Sequence, residues 1–227
     1  MKKLLIGFGM LVLVLGMAGG ANAVVINYDC ITQSDGTSDN NFTSPYSGVL
    51  VETFDKDGLP PTPGALTQPW TWSGNGALVS GTTSTYSAPF GVTDRDRTNY
   101  VTVPQTAGSG SYTAKLGADY NYFGLWWGSV DAYNTLTFYH DGKMVAEYTG
   151  SAITKPNEAN GNQVAPSTNL YVNFLYLPLF DSFTMTSTQY AFEADNIAVG
   201  TVPEPGSLLL LGAGLTGLAI FRRRSRG

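Results

Sequence analysis

Four acids fall where strands from opposite ends of the chain can carry them together. Glu52 and Asp55 lie in Val51-Glu52-Thr53-Phe54-Asp55, on the first strong strand and its exit, and Glu193 and Asp195 lie on the last one. First and last strands often pair in β-sandwiches, so such carboxylates can converge with backbone carbonyls on a hard cation such as Ca2+. Side chains alternate along a strand, which places Glu193 and Asp195 on one face and Phe192 and Ala194 on the other. Asp55, Glu193 and Asp195 are therefore the candidate metal ligands. Glu52 is the weaker member, on its strand's other face. The competing reading is of ordinary solvent-facing acids on edge strands. Asp55-Lys56-Asp57-Gly58 opens like an EF-hand loop, but the twelfth position is Leu66 rather than Glu, so that motif fails.

Aromatic residues offer a second chemistry. Trp70, Trp72, Trp126 and Trp127 are candidate platforms for stacking on sugar rings, with Asn and Asp supplying hydrogen bonds. Neighbouring strand residues face opposite ways, so Trp126 and Trp127 are expected not to be core together, and one belongs to an edge, loop or surface. Trp70 and Trp72 share a face across Thr71. Catalysis has little material. His140 is the lone histidine and sits in a turn, which leaves no His-based triad or multi-His metal site. A carboxylate pair for glycoside hydrolysis is the remaining enzymatic option, and the expectation is a protein that is not an enzyme. Cys30 is the lone cysteine, so no intramolecular disulfide forms, and with no cationic neighbour it reads as an inert thiol.

The elements that must position these residues are strands. Between residues 24 and 201, Gly, Ser, Thr, Asn and Tyr dominate and no stretch sustains a helical period. Strands are predicted at Gly48 to Phe54, Asn99 to Val103, Ser111 to Leu116, Asn121 to Trp127, Asn134 to Tyr139, Lys143 to Thr149, Leu170 to Tyr176, Ser182 to Ser187 and Tyr190 to Val199. Leu136 and Phe138 alternate with Thr135, Thr137 and Tyr139, as Phe183 and Met185 do with their polar neighbours. His140-Asp141-Gly142 supplies the Asp-Gly pair of a type I′ hairpin. Leu59 to Gly64 and Lys155 to Ser167 read as loops. Many short strands punctuated by turns predict an all-β, antiparallel jelly-roll-like β-sandwich.

Both ends are of another kind. Lys2-Lys3, the apolar stretch Leu4 to Leu15 and Ala21-Asn22-Ala23 form a signal peptide over residues 1–23, with signal peptidase cutting between Ala23 and Val24. At the other end, residues 202–227, Pro203 and Pro205 hold the chain extended around Glu204. An uncharged run from Leu208 to Phe221 follows, then Arg222, Arg223 and Arg224. As a helix over about 207–221, and roughly 24 Å long with Gly206 counted, this apolar segment is short for a hydrocarbon core of about 30 Å. The arginines hold its end in the cytoplasm. The expectation is a single transmembrane helix that anchors the chain transiently.

The Val202-Pro203-Glu204-Pro205 motif, apolar stretch and Arg cluster together resemble the PEP-CTERM sorting signal of Gram-negative exported proteins. The resemblance implies an exosortase, a membrane-embedded cysteine protease, that cuts near Pro-Glu-Pro and sends the protein to the cell surface or outside. Tyr122 to Asn134, Thr98-Asn99-Tyr100 and Asp195-Asn196-Ile197 are similar to segments of one group of PEP-CTERM surface proteins. For that group the implied fold is a jelly-roll sandwich, with no biochemical role attached.

Charge narrows the partners. All seventeen acids, but only six of the twelve basic residues, lie in residues 24–205, so the exported part carries −11 against −5 for the whole chain. Such a domain repels nucleic acid and anionic surfaces. The expectation is a non-catalytic surface or matrix-associated protein, with exopolysaccharide binding and structural calcium as the alternative.

Overall fold

The structure, a computed structural model, describes residues 23–33, 41–55, 66–106 and 108–203, with Gly214 and Arg222. Ala21, the expected signal peptide up to residue 22, Glu204, Pro205, Arg223, Arg224 and all of the apolar run except Gly214 lie outside the described residues. The Pro-rich stretch Leu59 to Gly64 lies outside them too.

The described chain is almost all strand. Short strands come first: β1 (Val25–Asn27), β2 (Ile31–Gln33), β3 (Asn41–Thr43), β4 (Leu50–Glu52), β5 (Thr71–Gly74) and β6 (Ala77–Ser80). Longer ones follow: β7 (Asn99–Val103), β8 (Gly110–Tyr120), β9 (Tyr122–Gly128), β10 (Asn134–His140) and β11 (Lys143–Thr149). A one-turn helix α1 (Gly150–Ile153) precedes β12 (Leu170–Leu175), β13 (Phe180–Ser187) and β14 (Phe192–Gly200). A seven-stranded sheet runs β1-β12-β9-β14-β7-β6, with β4 also on β14, and a five-stranded sheet runs β11-β10-β13-β8-β5. With β7 to β14 counted as one to eight, the main strands read 1-8-3-6 in the first sheet and 2-7-4-5 in the second. That is jelly-roll order. Neighbours within each sheet pair antiparallel, as in Thr137↔Thr184 and Leu125↔Val172.

Alternation explains the core. Leu136 and Phe138 of β10 and Phe183 and Met185 of β13 face inward, against Phe123, Leu125 and Trp127 of β9. Phe123 meets Phe183 at 4.7 Å and Phe138 at 5.0 Å between ring centroids, joining the two sheets. Each large apolar side chain sealed this way contributes about 1.5–3 kcal/mol. The Asp-Gly hairpin forms as the sequence indicates: Asp141 and Gly142 take φ of 50° and 73°, as a type I′ turn requires.

The seven-stranded sheet is covered on its outer face as well. The β2–β3 hairpin lies over it, with the Phe42 ring 5.3 Å from that of Trp126. Asn196 Nδ2 donates to the Phe42 carbonyl at 3.0 Å and fixes that cover. Every residue of β9 and β14 is consequently buried, whichever face it takes.

Candidate functional site

This second cover corrects the tryptophan reading. Trp127 faces the core, stacked on Phe192 with centroids 4.3 Å apart, while Trp126 faces the opposite way under Phe42. Both are fully buried. Alternation held, but both faces of the sheet are interior. Trp70 is buried against Phe183, and half-buried Trp72 stacks on Tyr112 at 4.8 Å. Trp70, Trp126 and Trp127 present no ring to a sugar, and Trp72's is occupied by Tyr112.

The acids are not solvent-facing either. Glu52 is buried and serves the fold: Oε1 accepts from Phe54 N at 2.8 Å and Thr67 N at 2.9 Å, and Oε2 accepts from Gln68 N at 2.8 Å. Glu193 and Asp195 share the outer face of β14, yet the structure separates them into two environments.

Glu193 forms the floor of a polar cleft of about 200 Å³, lined also by Tyr86, Ser129, Asp131, Tyr133 and Tyr190. Ser87 N donates to its Oε1 at 2.9 Å and Ser129 Oγ to its Oε2 at 2.7 Å. Burial outweighs these bonds and pushes the carboxyl up to about 8. Asp131 is also raised by burial, with Tyr133 opposing the shift. The Tyr133 hydroxyl donates to the Tyr190 carbonyl at 2.6 Å. One wall comes from the loop following α1, where Gly161 N donates to the Val130 carbonyl and Asn160 bridges Asp131. The cleft therefore gathers two carboxyls, three tyrosines and two serines, which is chemistry for hydroxyl-rich ligands.

Asp195 lies beneath the β2–β3 cover, cross-strand from Trp126. Beside it, Asn99 N donates to Asp55 Oδ1 at 2.8 Å and Asn99 Nδ2 donates to the Phe54 carbonyl at 2.9 Å. Asp96 Oδ1 accepts from Thr98 N at 2.9 Å and Thr98 Oγ1 at 2.6 Å, and Asn41 Nδ2 reaches Thr98 Oγ1 at 3.4 Å. Asp55 and Asp195 thus belong together, Glu193 belongs to the cleft, and Asp96 joins them unannounced. Its signal in the sequence was weak: it is one of two acids alternating with arginines in Asp94-Arg95-Asp96-Arg97. Among the described residues, no three Asp, Glu, His or Cys side chains close to metal-ligating spacing. Cys30 is exposed, and its thiol is raised by burial of its sulfur and by Asp29. His140 lies 3.5 Å from Asp119 at the hairpin end of the five-stranded sheet.

The chain leaves the domain at a fixed point. Asn121 Oδ1 accepts from Val202 N at 2.7 Å, Asn121 Nδ2 donates to the Val202 carbonyl at 2.9 Å, and Asn121 N donates to the Gly200 carbonyl at 3.1 Å. The backbone is tied down one residue before Pro203. Residues 201–224, which start there, match the family described as the PEP-CTERM protein-sorting motif.

The chain carries a PEP-CTERM sorting motif.

The PEP-CTERM motif implies exosortase-dependent export and covers the tail, not the sandwich. Among curated proteins nothing matches this chain. Of solved structures, CpGH89CBM32-6 produced by Clostridium perfringens is similar at 11% identity over 55% of this chain and 92% of that one, with a TM-score of 0.30. The K2 cleaved adhesin domain of Lys-gingipain is similar at 12% identity over 68% and 98%, with a TM-score of 0.29.

Proposed function

We propose that this chain is an exported, exosortase-sorted protein of the cell surface or extracellular matrix, whose sandwich acts without catalysis as a structural or interaction module. Signal peptidase removes residues 1–23, and exosortase cuts near Pro203-Glu204-Pro205 after transient anchoring by the apolar segment. The observation that carries the reading is the sorting motif at residues 201–224, which begins one residue after the last strand ends. Replacing Pro203, Glu204 and Pro205 with alanine is expected to leave the full chain uncleaved in the membrane fraction of an exosortase-containing host. Release at normal size despite the change would count against the reading.

The polar cleft favours a second reading, binding of an exopolysaccharide. Tyr86, Tyr133 and Tyr190 supply ring faces and hydroxyls, and Asp131 accepts hydrogen bonds from sugar hydroxyls. Affinity electrophoresis of the full chain in host exopolysaccharide tests it, with Asp131→Asn and Tyr133→Phe reducing retardation. If the polysaccharide does not retard the unaltered protein, the lectin reading is lost.

A further inference from the structure

We propose that the end of the seven-stranded sheet from which both chain ends leave is a lipid-facing surface, which seats the sandwich on the bilayer with its polar cleft turned away. The inference rests on the transient anchoring proposed above and adds what the folded domain itself touches. Strand register supplies the geometry. Val25 pairs with Leu175, Phe174 with Phe123, Gly200 with Tyr122 and Val199 with Leu50. The first strand therefore begins, and the last one finishes, at the same end of the sheet, three strand spacings or about 14 Å apart. The cleft lies at the other end: Glu193 pairs with Gly128, six residues along β9 from Tyr122, or about 20 Å.

The chemistry of that end sets it apart. In an exported part that carries −11, the segments that form it, 23–25, 46–50, 120–122, 176–179 and 200–203, contain no charged side chain. Val25, Leu50 and Leu179 are 46%, 43% and 51% exposed there. Tyr46 and Tyr176 pack partly buried around Tyr122 and Leu175. Aliphatic tips with tyrosines between them suit the boundary of lipid and water, where a phenol ring takes the apolar side and its hydroxyl the wet one. The acids at this end, Asp119, Asp141 and Asp181, lie with His140 and Lys143 on the five-stranded sheet and its hairpin, so the seven-stranded sheet alone makes the contact. The length of chain beyond the clamp selects the occupant. Five residues, 203–207, separate Val202 from the apolar run that starts at Leu208, and they reach at most about 18 Å. A headgroup layer of about 5–7 Å takes up part of that distance. The end face is thus held against the bilayer by the Asn121–Val202 clamp and a short tether, while the cleft is open to polysaccharide before exosortase cuts.

The test uses the full, uncut chain with Cys30→Ser, reconstituted in phosphatidylcholine vesicles that contain spin-labelled lipid. Leu50→Cys, Leu179→Cys and, at the cleft rim, Gln163→Cys each carry an environment-sensitive fluorophore; all three positions are exposed, so the exchanges spare the core. Quenching by lipid should be at least threefold stronger at 50 and at 179 than at 163. Leu179→Asn should weaken quenching of the label at 50, which a tether alone would not do. A chain that floats with the vesicles but is quenched equally at all three positions overturns the proposal and leaves the anchoring standing. So does undiminished quenching at 50 in Leu179→Asn. Labels at 50 and 179 shielded from water yet untouched by lipid would mean that a second copy covers this end, which also overturns it. A chain that fails to float with the vesicles overturns the anchoring reading and the proposal with it.

Discussion

Asn121 and Val202 exchange two hydrogen bonds, at 2.7 Å and 2.9 Å, through the Asn121 side chain and the Val202 backbone. A single amide thus plays the part that a neighbouring strand plays elsewhere along β14, and it does so where the domain ends. Sequence alone placed Asn121 at the start of a strand and Val202 in the sorting segment, with nothing to join them. The consequence is a sharp boundary: Pro203-Glu204-Pro205 follows a pinned residue, so the sorting motif emerges from a defined point on the sandwich.

Asn121→Ala should loosen that boundary without unfolding the sandwich. Two backbone groups of Val202 lose their partners, which costs about 1–2 kcal/mol if water replaces them poorly. Limited proteolysis should cut faster next to residue 202 while cuts inside the sheets stay slow. Unchanged cleavage near residue 202 would show that the clamp contributes nothing.

Trp127→Ala should be a folding lesion. The indole stacks on Phe192 in the core, and removing it should cost about 3–5 kcal/mol in denaturant unfolding. Retardation by polysaccharide should persist in the fraction that stays folded. A stable variant that loses binding would restore Trp127 as a ligand contact.

Glu193 should make stability fall with rising pH. Its folded value of about 8 exceeds the ordinary 4.5, so the folded state holds the proton more tightly. Its stabilising effect is complete below about pH 4.5 and is lost as pH climbs through 8, by roughly 5 kcal/mol at most. Glu193→Gln keeps an acceptor for Ser87 N and a partner for Ser129 Oγ while removing the charge. It should flatten the decline of melting temperature between pH 5 and pH 8. Asp195, raised by burial in the same direction, keeps a residual slope, and Asp131, Tyr100 and Tyr133 face the same region. An identical pH profile in the variant would contradict the assignment.

Gly161→Ala should close the cleft. Its φ is 66°, and an added Cβ would sit 2.5 Å from Asp131 Oδ1 and 2.6 Å from Oδ2. The left-handed backbone costs a non-glycine residue about 1–2 kcal/mol, and the clash displaces the Asp131 carboxylate. A matching fall in polysaccharide retardation is expected by affinity electrophoresis; unaltered retardation would remove Asp131 from the binding account.

Much of this architecture was legible because long strands bury one face in strict alternation. Asn99–Val103 and Lys143–Thr149 fall at the predicted limits, and Leu136, Phe138, Phe183 and Met185 point where their spacing says. The strands β1, β2, β3, β5 and β6 run only three or four residues, too few to display a period. The outer cover was invisible for another reason. Phe42 reaches Trp126 across more than eighty residues of chain, and no local pattern announces such a contact. That one layer accounts for both corrections: it buries Trp126 along with Trp127, and it encloses Asp195 where alternation alone allowed an exposed acid. Glu193 and Asp195 were rightly placed on one face, but the loops above that face decide that Ser129 serves one and acidic neighbours surround the other.

The central claim, exosortase-dependent sorting, is tested most directly by intact-mass spectrometry of the protein from paired Gram-negative hosts with and without exosortase. With the enzyme, the account predicts a product whose C-terminus lies near Pro203-Glu204-Pro205 and which has lost Arg222, Arg223 and Arg224. Without it, those residues should remain and the chain should stay in the membrane. The same truncated product from both hosts would contradict the account.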